Sequence, residues 1–168
     1  MKIFFWILAA VLVIWGGTQL FNGEGGEQGT TNVSDIGTEQ IKLGVLLPLT
    51  GDAASYGESE SRAIQIAVEE INSAGGINGR QIELVVEDGK CDPQAAGTAT
   101  QKLVNVDRVK VIVGGACSGE TLAAAEITNP AKVILISPSA SSPKVTAAGD
   151  FVFRTYPSDA LAGKIAAK

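Results

Sequence analysis

The sequence predicts an α/β protein, with an open, mostly parallel sheet and helices on both faces. Three observations carry this. Short apolar runs recur between residues 41 and 154, separated by segments whose apolar residues follow a helical period. The runs break off in loops rich in glycine, proline and hydroxyl side chains, several of which lead directly into a helix. Alternating strands and helices build crossover units, and these make a parallel sheet covered on both sides.

Residues 41–47 form the first strand, with a nearly continuous apolar run suited to burial on both faces. Residues 48–57 are a loop marked by Pro48, Gly51 and Gly57. Residues 59–74 are a helix whose apolar side comprises Ala63, Ile64, Ile66, Ala67, Val68 and Ile71. Gly75, Gly76 and Gly79 close it in a tight turn before a strand over 81–88. Asp92 can cap the next helix, which has Pro93 in its first turn and runs to about Asn105. The third strand covers 109–113. A helix opens at Ser118 or Gly119 and ends near Pro130, and the fourth strand covers 133–136. After a small-residue loop over 137–143 comes a short fifth strand at 151–154. Ser158 caps a last helix with Leu161 and Ile165 on one face. That helix reaches Lys168 with no stop signal, which suggests a domain cut partway or a fragment.

Composition narrows the function. After the leader's Lys2 there are 12 basic and 18 acidic side chains, a net −6, and no basic cluster, so nucleic acid is not an expected partner. The absence of histidine removes imidazole acid–base catalysis, Ser-His triads and imidazole metal sites.

The amino terminus reads as a targeting segment. Lys2 precedes 13 uninterrupted apolar residues, Ile3 to Trp15, the length of a signal-peptide core. With Leu20 and Phe21 the stretch reaches residue 21, so residues 1–21 are a signal peptide or an uncleaved signal anchor. No cysteine precedes Cys91, which excludes a lipid-modified amino-terminal cysteine. Gly-rich, polar residues 22–40 are a flexible linker. The expected location is extracytoplasmic, at the outer face of the cell membrane or in the periplasm.

Cys91 and Cys117, the only cysteines, each follow a predicted strand and so belong at the carboxyl edge of the sheet, where open α/β sheets hold ligands. Outside the cytosol an even pair of thiols usually becomes a disulfide. Closing the 26-residue separation would stabilise the fold by roughly 3–4 kcal/mol. Two unconnected small core residues are the alternative. A zinc site lacks its remaining ligands.

Three loops meet at that edge, residues 47–57, 114–121 and 137–143. They are rich in hydroxyls and glycine and poor in charge. The second runs into a helix, whose amino terminus offers free N–H groups and partial positive charge. With the Ser118 and Thr121 hydroxyls beside it, it can hold a carboxylate or phosphate, although Ser118 alone reads more simply as a helix cap. Ser139 and Ser141 could bind a zwitterion from the third loop, and Tyr56 could supply an aromatic wall from the first. Asp52, Asp88 and Asp92 form a conceivable metal or acid cluster, but Asp92 is better explained as a cap and Asp52 as a turn residue. No dinucleotide fingerprint, P-loop or nucleophile elbow is present.

Taken in order, these segments resemble the branched-chain amino-acid-binding proteins of ABC importers. The resemblance rests on Leu46-Leu47-Pro48-Leu49-Thr50-Gly51 with Ser55-Tyr56-Gly57, on the run from Ala67 to Gly79, and on Cys91-Asp92-Pro93 and Cys117-Ser118. It continues through the run from Ile136 to Pro143 and ends with Phe153-Arg154-Thr155. It covers about residues 41–168 and implies the first lobe of a type I periplasmic binding protein, incomplete at its carboxyl end. By that resemblance Cys91 and Cys117 form a disulfide, and Ser118 and Ser141 hold a ligand α-carboxylate. Ser139, with Ala140 beside it, offers a carbonyl to the α-ammonium, and Tyr56 faces the ligand. The family often has threonine where Ser141 stands, and the second lobe, with its acidic partner for the ammonium, is missing.

The implied function is capture of an amino acid, branched-chain or similar, for an ABC permease. It needs no cofactor, metal or catalytic residue and works as a monomer when complete. A membrane-anchored sensor with the same fold, and ligands such as amides, urea or aromatic acids, are the alternatives. An exported α/β enzyme has little support. As a fragment, the domain is expected to expose apolar surface meant for its missing parts.

Overall fold

The computed structural model describes residues 39–168. The leader and nearly all of the linker, residues 1–38, lie outside the described residues. Five strands form one parallel sheet in the order β2-β1-β3-β4-β5. They are β1 (Ile41–Leu47), β2 (Ile82–Asp88), β3 (Val111–Gly114), β4 (Ile134–Ser137) and β5 (Val152–Arg154). The helices are α1 (Ala54–Ser73), α2 (Pro93–Gln101), α3 (Ser118–Thr128) and α4 (Asp159–Ala166). A π-helical turn, Lys102–Val106, extends α2, and a 3-10 turn, Pro143–Ala147, precedes β5.

The chain steps outward from β1 to β2, then crosses back over β1 to β3. Right-handed crossovers therefore place α1 on one face of the sheet and α2 and α3 on the other. The alternating side chains of β1 feed both layers. Leu46 joins Ala96, Leu103, Ile112, Ala124 and Leu135 under α2 and α3, whereas Val45 and Leu47 pack with Ile64 and Leu84 under α1. The continuous apolar run of β1 is thus a strand buried on both sides.

Two expectations need correcting. Helix α1 begins five residues earlier than its sequence pattern suggested, and Gly57 lies inside it. A Cβ at Gly57 would overlap the Pro48 carbonyl, so the glycine permits a close approach of helix to loop and does not mark a loop end. The apolar side of α1 is also not a single buried face. Val68 is buried and Ile64 half-buried, but Ala63, Ile66, Ala67 and Ile71 face outward. The sheet-facing row ends in Asn72, whose amide exchanges two hydrogen bonds with the Ile82 backbone at 2.8 and 2.9 Å and fixes the helix against β2.

Among the described residues no helix packs on the α1 side of β3, β4 and β5. Val113 and Ile136 are half-buried there and Phe153 is 52% exposed. Leu161 and Ile165 of α4 are also exposed. The expected open apolar surface is present. Among the described residues no helix is long and apolar enough to cross a membrane.

Candidate functional site

All five strands point their carboxyl ends at one edge, and the strand order reverses between β1 and β3. Crevices at such a reversal are where open sheets take ligands. A cleft of about 380 Å³ lies at this edge, lined by Ala53, Tyr56, Ala116, Cys117, Ser139, Ser141 and Tyr156. A larger groove of about 850 Å³ lies at the opposite edge, with Ile41, Lys42, Arg80 and Lys110 in its walls. The carboxyl-edge cleft is the candidate site, because there loops from several strands bring polar groups together around apolar walls.

Carboxylates and hydroxyls lace these loops together. Asp88, the last residue of β2, accepts the Leu49 N–H at 2.8 Å, the Lys90 N–H at 3.0 Å and the Thr50 hydroxyl at 2.5 Å, which ties the loop after β1 to the loop after β2. Glu120 is fully buried on the first turn of α3. It accepts the Cys91 N–H at 2.8 Å and the Cys117 N–H at 3.1 Å, which ties the loop after β2 to the loop after β3. The Ser137 hydroxyl donates to the Gly115 carbonyl at 2.6 Å and accepts the Ala140 N–H at 3.1 Å, which joins the loop after β4 to the loop after β3. The Ser139 hydroxyl donates to the Ala116 carbonyl at 2.9 Å.

The two carboxylates are shifted in opposite directions. Burial raises the Asp88 pKa, but the bond from the Thr50 hydroxyl and those from backbone N–H groups outweigh it and hold the group below its ordinary value. For Glu120, burial dominates and raises the pKa, with the Asp88 charge adding to it. The N–H groups of Cys117, Cys91 and Ala116 oppose the rise without cancelling it.

Cys91 and Cys117 are bridged, with 5.4 Å between their Cα atoms, inside the usual span of about 4.4–6.8 Å. Because β1 lies between β2 and β3, strands about 10 Å apart, the bridge arches over the end of β1. Lys90 and Cys91 lead into it at φ 56° and 55°, two consecutive non-glycine residues in the left-handed region.

Of the residues expected from sequence, Tyr56, Ser139 and Ser141 line the cleft together with the disulfide residue Cys117. Tyr56 stands on the first turn of α1 and is 71% exposed. Ser141 donates its hydroxyl to Asp159 at 2.9 Å. Ser118 and Ala140 stand directly behind this lining, Ser118 next in sequence to Cys117 and Ala140 between Ser139 and Ser141. Ser118 is not the cap of α3. Cys117 holds that position, and the Ser118 hydroxyl accepts the Ser142 N–H at 3.2 Å. Ala140 is 1% exposed, its N–H spent on Ser137. Thr121 is buried and donates to the Gly115 carbonyl at 2.7 Å, so its hydroxyl braces the loop and does not face a ligand. Asp52, Asp88 and Asp92 do not cluster. Asp88 is a loop brace, Asp92 caps α2 by accepting the Ala95 N–H at 2.8 Å, and no potential metal-binding group of three occurs among the described residues. Sequence reasoning missed Tyr156. It lies just past β5 at the same edge, so the placement that singled out Tyr56 could have found it.

A cleft at the reversal of an open parallel sheet, with aromatic and hydroxyl walls over a laced rim, has the form of a small-molecule site in an α/β domain. The chain belongs to the periplasmic binding protein family, whose sequence profile matches residues 40–167. It is 40% identical over 134 residues to the leucine-, isoleucine-, valine-, threonine-, and alanine-binding protein of Pseudomonas aeruginosa, a match covering 79% of this chain and 36% of that protein. Among solved structures it resembles the branched-chain amino acid transporter substrate binding protein LivJ from Streptococcus pneumoniae, in complex with isoleucine. That match has a TM-score of 0.70 and 41% identity, and covers 72% of this chain and 35% of the other. It also resembles a solute binding protein of an ABC transporter from Rhodopseudomonas palustris in complex with 3,4-dihydroxy benzoic acid. Here the TM-score is 0.66 and the identity 28%, over 71% of this chain and 32% of the other. The chain spans about a third of the length of these relatives.

Proposed function

We propose that residues 41–168 are the first lobe of an exported solute-binding protein that captures an amino acid, branched-chain or similar, and delivers it to an ABC importer. The observation that carries this is the cleft itself. Tyr56, Ser139 and Ser141 meet at the strand reversal, in a chain whose relative from Streptococcus pneumoniae was solved with isoleucine. The residues suit a zwitterion. The first N–H groups of α3 have no partner inside the helix and favour a carboxylate. The Ser118 hydroxyl accepts from Ser142 and keeps its own proton to donate. Ser141 is a second hydroxyl for that carboxylate, exchanging Asp159 for the ligand. The Ser139 hydroxyl is held by Ala116, which leaves its carbonyl for the α-ammonium. Tyr56 supplies an apolar wall.

The protein acts by binding and closure, with the ligand favouring the closed state through its greater affinity for it. It works outside the cytoplasm as a monomer, held or exported by residues 1–21. A second reading, an aromatic acid as ligand, draws on Tyr56 and Tyr156 facing one cleft and on the dihydroxybenzoic acid in the relative from Rhodopseudomonas palustris. Calorimetric titration of the complete gene product, leader removed, against leucine, isoleucine, valine, other amino acids and benzoic acids tests both. Binding of an amino acid supports the first reading, and binding of benzoic acids alone supports the second. No binding to any of them would overturn both.

A further inference from the structure

We propose that Glu120 is a positioning residue of the cleft, a non-covalent brace that joins the same two residues as the disulfide and holds the α3 wall in place when that bond is reduced. The ligand-binding part of this rests on the solute-binding reading above, whereas the brace itself does not.

The geometry is specific. One carboxylate oxygen of Glu120 accepts the Cys91 N–H at 2.8 Å and the other accepts the Cys117 N–H at 3.1 Å. The disulfide joins the side chains of these residues and Glu120 joins their backbones. Each link spans the end of β1, so each alone can keep the loop after β2 against the loop after β3. Cys91 is left-handed at φ 55°, a conformation that disfavours a side chain, and its N–H is one of those Glu120 holds. The preceding residue, Lys90, is also left-handed, and its N–H is held by Asp88. The turn that carries Cys91 to its partner is thus fastened by two carboxylates, residue by residue.

The surroundings are shaped around this side chain. A Cβ at Gly89 would overlap the Glu120 carboxylate, so the glycine makes room for it. Glu120 is 0% exposed and touches no solvent. A buried acceptor of this kind satisfies two N–H groups that would otherwise be orphaned. Its effect reaches the cleft in one step, because Cys117 lines the cleft and the carbonyl of the adjacent Ala116 anchors the Ser139 hydroxyl. Glutamine cannot replace it. Its amide nitrogen is a donor and would face an N–H. Aspartate is one methylene too short to span both amides.

The test compares four forms of the complete gene product: wild type, Glu120→Gln, the pair Cys91→Ser with Cys117→Ser, and all three changes together. Leucine affinity is read by calorimetry. The combined variant should lose at least about tenfold more affinity than the product of the two separate losses, as for two groups sharing one interaction. Losses that simply multiply would overturn the proposal. A second readout needs neither a variant nor a ligand. In wild type reduced with dithiothreitol, hydrogen exchange at the Cys91 and Cys117 amides should stay slow, as in the oxidised protein. Exchange at the rate of an open loop would overturn the brace even if Glu120→Gln fails to fold. Absence of leucine binding by wild type would count against the solute-binding reading and leave the amide measurement to decide on Glu120.

Discussion

The Ser118 hydroxyl accepts the Ser142 N–H across 3.2 Å and so pins the loop after β4 to the first turn of α3. Two walls of the cleft are joined at that bond. Ser118→Ala leaves a half-buried N–H without its acceptor, at a cost of about 1–3 kcal/mol. It also removes a donor from the proposed carboxylate site. Denaturant unfolding should show the stability loss, and titration should show ligand affinity falling about tenfold, or about 1.4 kcal/mol.

Reducing the Cys91–Cys117 bond releases a loop of 26 residues. Chain entropy predicts a loss of about 3–4 kcal/mol. Urea unfolding with and without dithiothreitol measures it. The unfolding midpoint should drop while the native far-ultraviolet spectrum persists below the transition.

Asp88 and Glu120 should give opposite pH signatures. The folded-state pKa of Asp88 lies below its ordinary 3.8, so its stabilisation is present above that pH and is lost as pH falls through the folded value. The folded-state pKa of Glu120 lies above its ordinary 4.5, so folding favours its protonated form: the extra stability linked to that proton is present below that pH and is lost as pH rises through the folded value, while the bonds from the Cys91 and Cys117 N–H groups to the carboxylate remain. The stability gap between wild type and Asp88→Asn should therefore shrink in acid below pH 3.8. The gap between wild type and Glu120→Gln should widen as pH falls toward 4.5. Denaturant midpoints of the three proteins across this range check both signs.

Gly57→Ala tests the contact between α1 and the first loop. In an open helix this change gains about 1 kcal/mol. Here the added methyl meets the Pro48 carbonyl, part of a buried backbone that cannot swing aside. Overpacking should win, with a net destabilisation of about 1–3 kcal/mol, measured by thermal or urea unfolding.

The strands and caps were legible in the sequence because their signals are local. The unbroken apolar run of β1 announced burial on both faces, and Asp92-Pro93 announced the start of α2. The placement of Cys91 and Cys117 at the carboxyl edge followed from the strands they trail. What stayed hidden depends on distant partners. Gly57 read as a loop because nothing local shows that Pro48 would press on it. Ser118 read as a cap because serine commonly caps, while its partner lies 24 residues away. Glu120 gave no signal, since it binds backbone N–H groups, one of them 29 residues distant, and backbone donors leave no mark in a sequence. The outward face of α1 looked like core because an apolar stripe does not say what will cover it.

On the proposed function the carboxyl-edge cleft, and not the larger groove at the opposite edge, takes the ligand. Calorimetric titration of leucine into the complete gene product and two variants decides between the two. Ser141→Ala alters the cleft and Lys42→Ala alters the groove. The prediction is that wild type and Lys42→Ala bind alike and Ser141→Ala binds at least about tenfold more weakly, a difference of about 1.4 kcal/mol. Full affinity in Ser141→Ala together with lost binding in Lys42→Ala would contradict it.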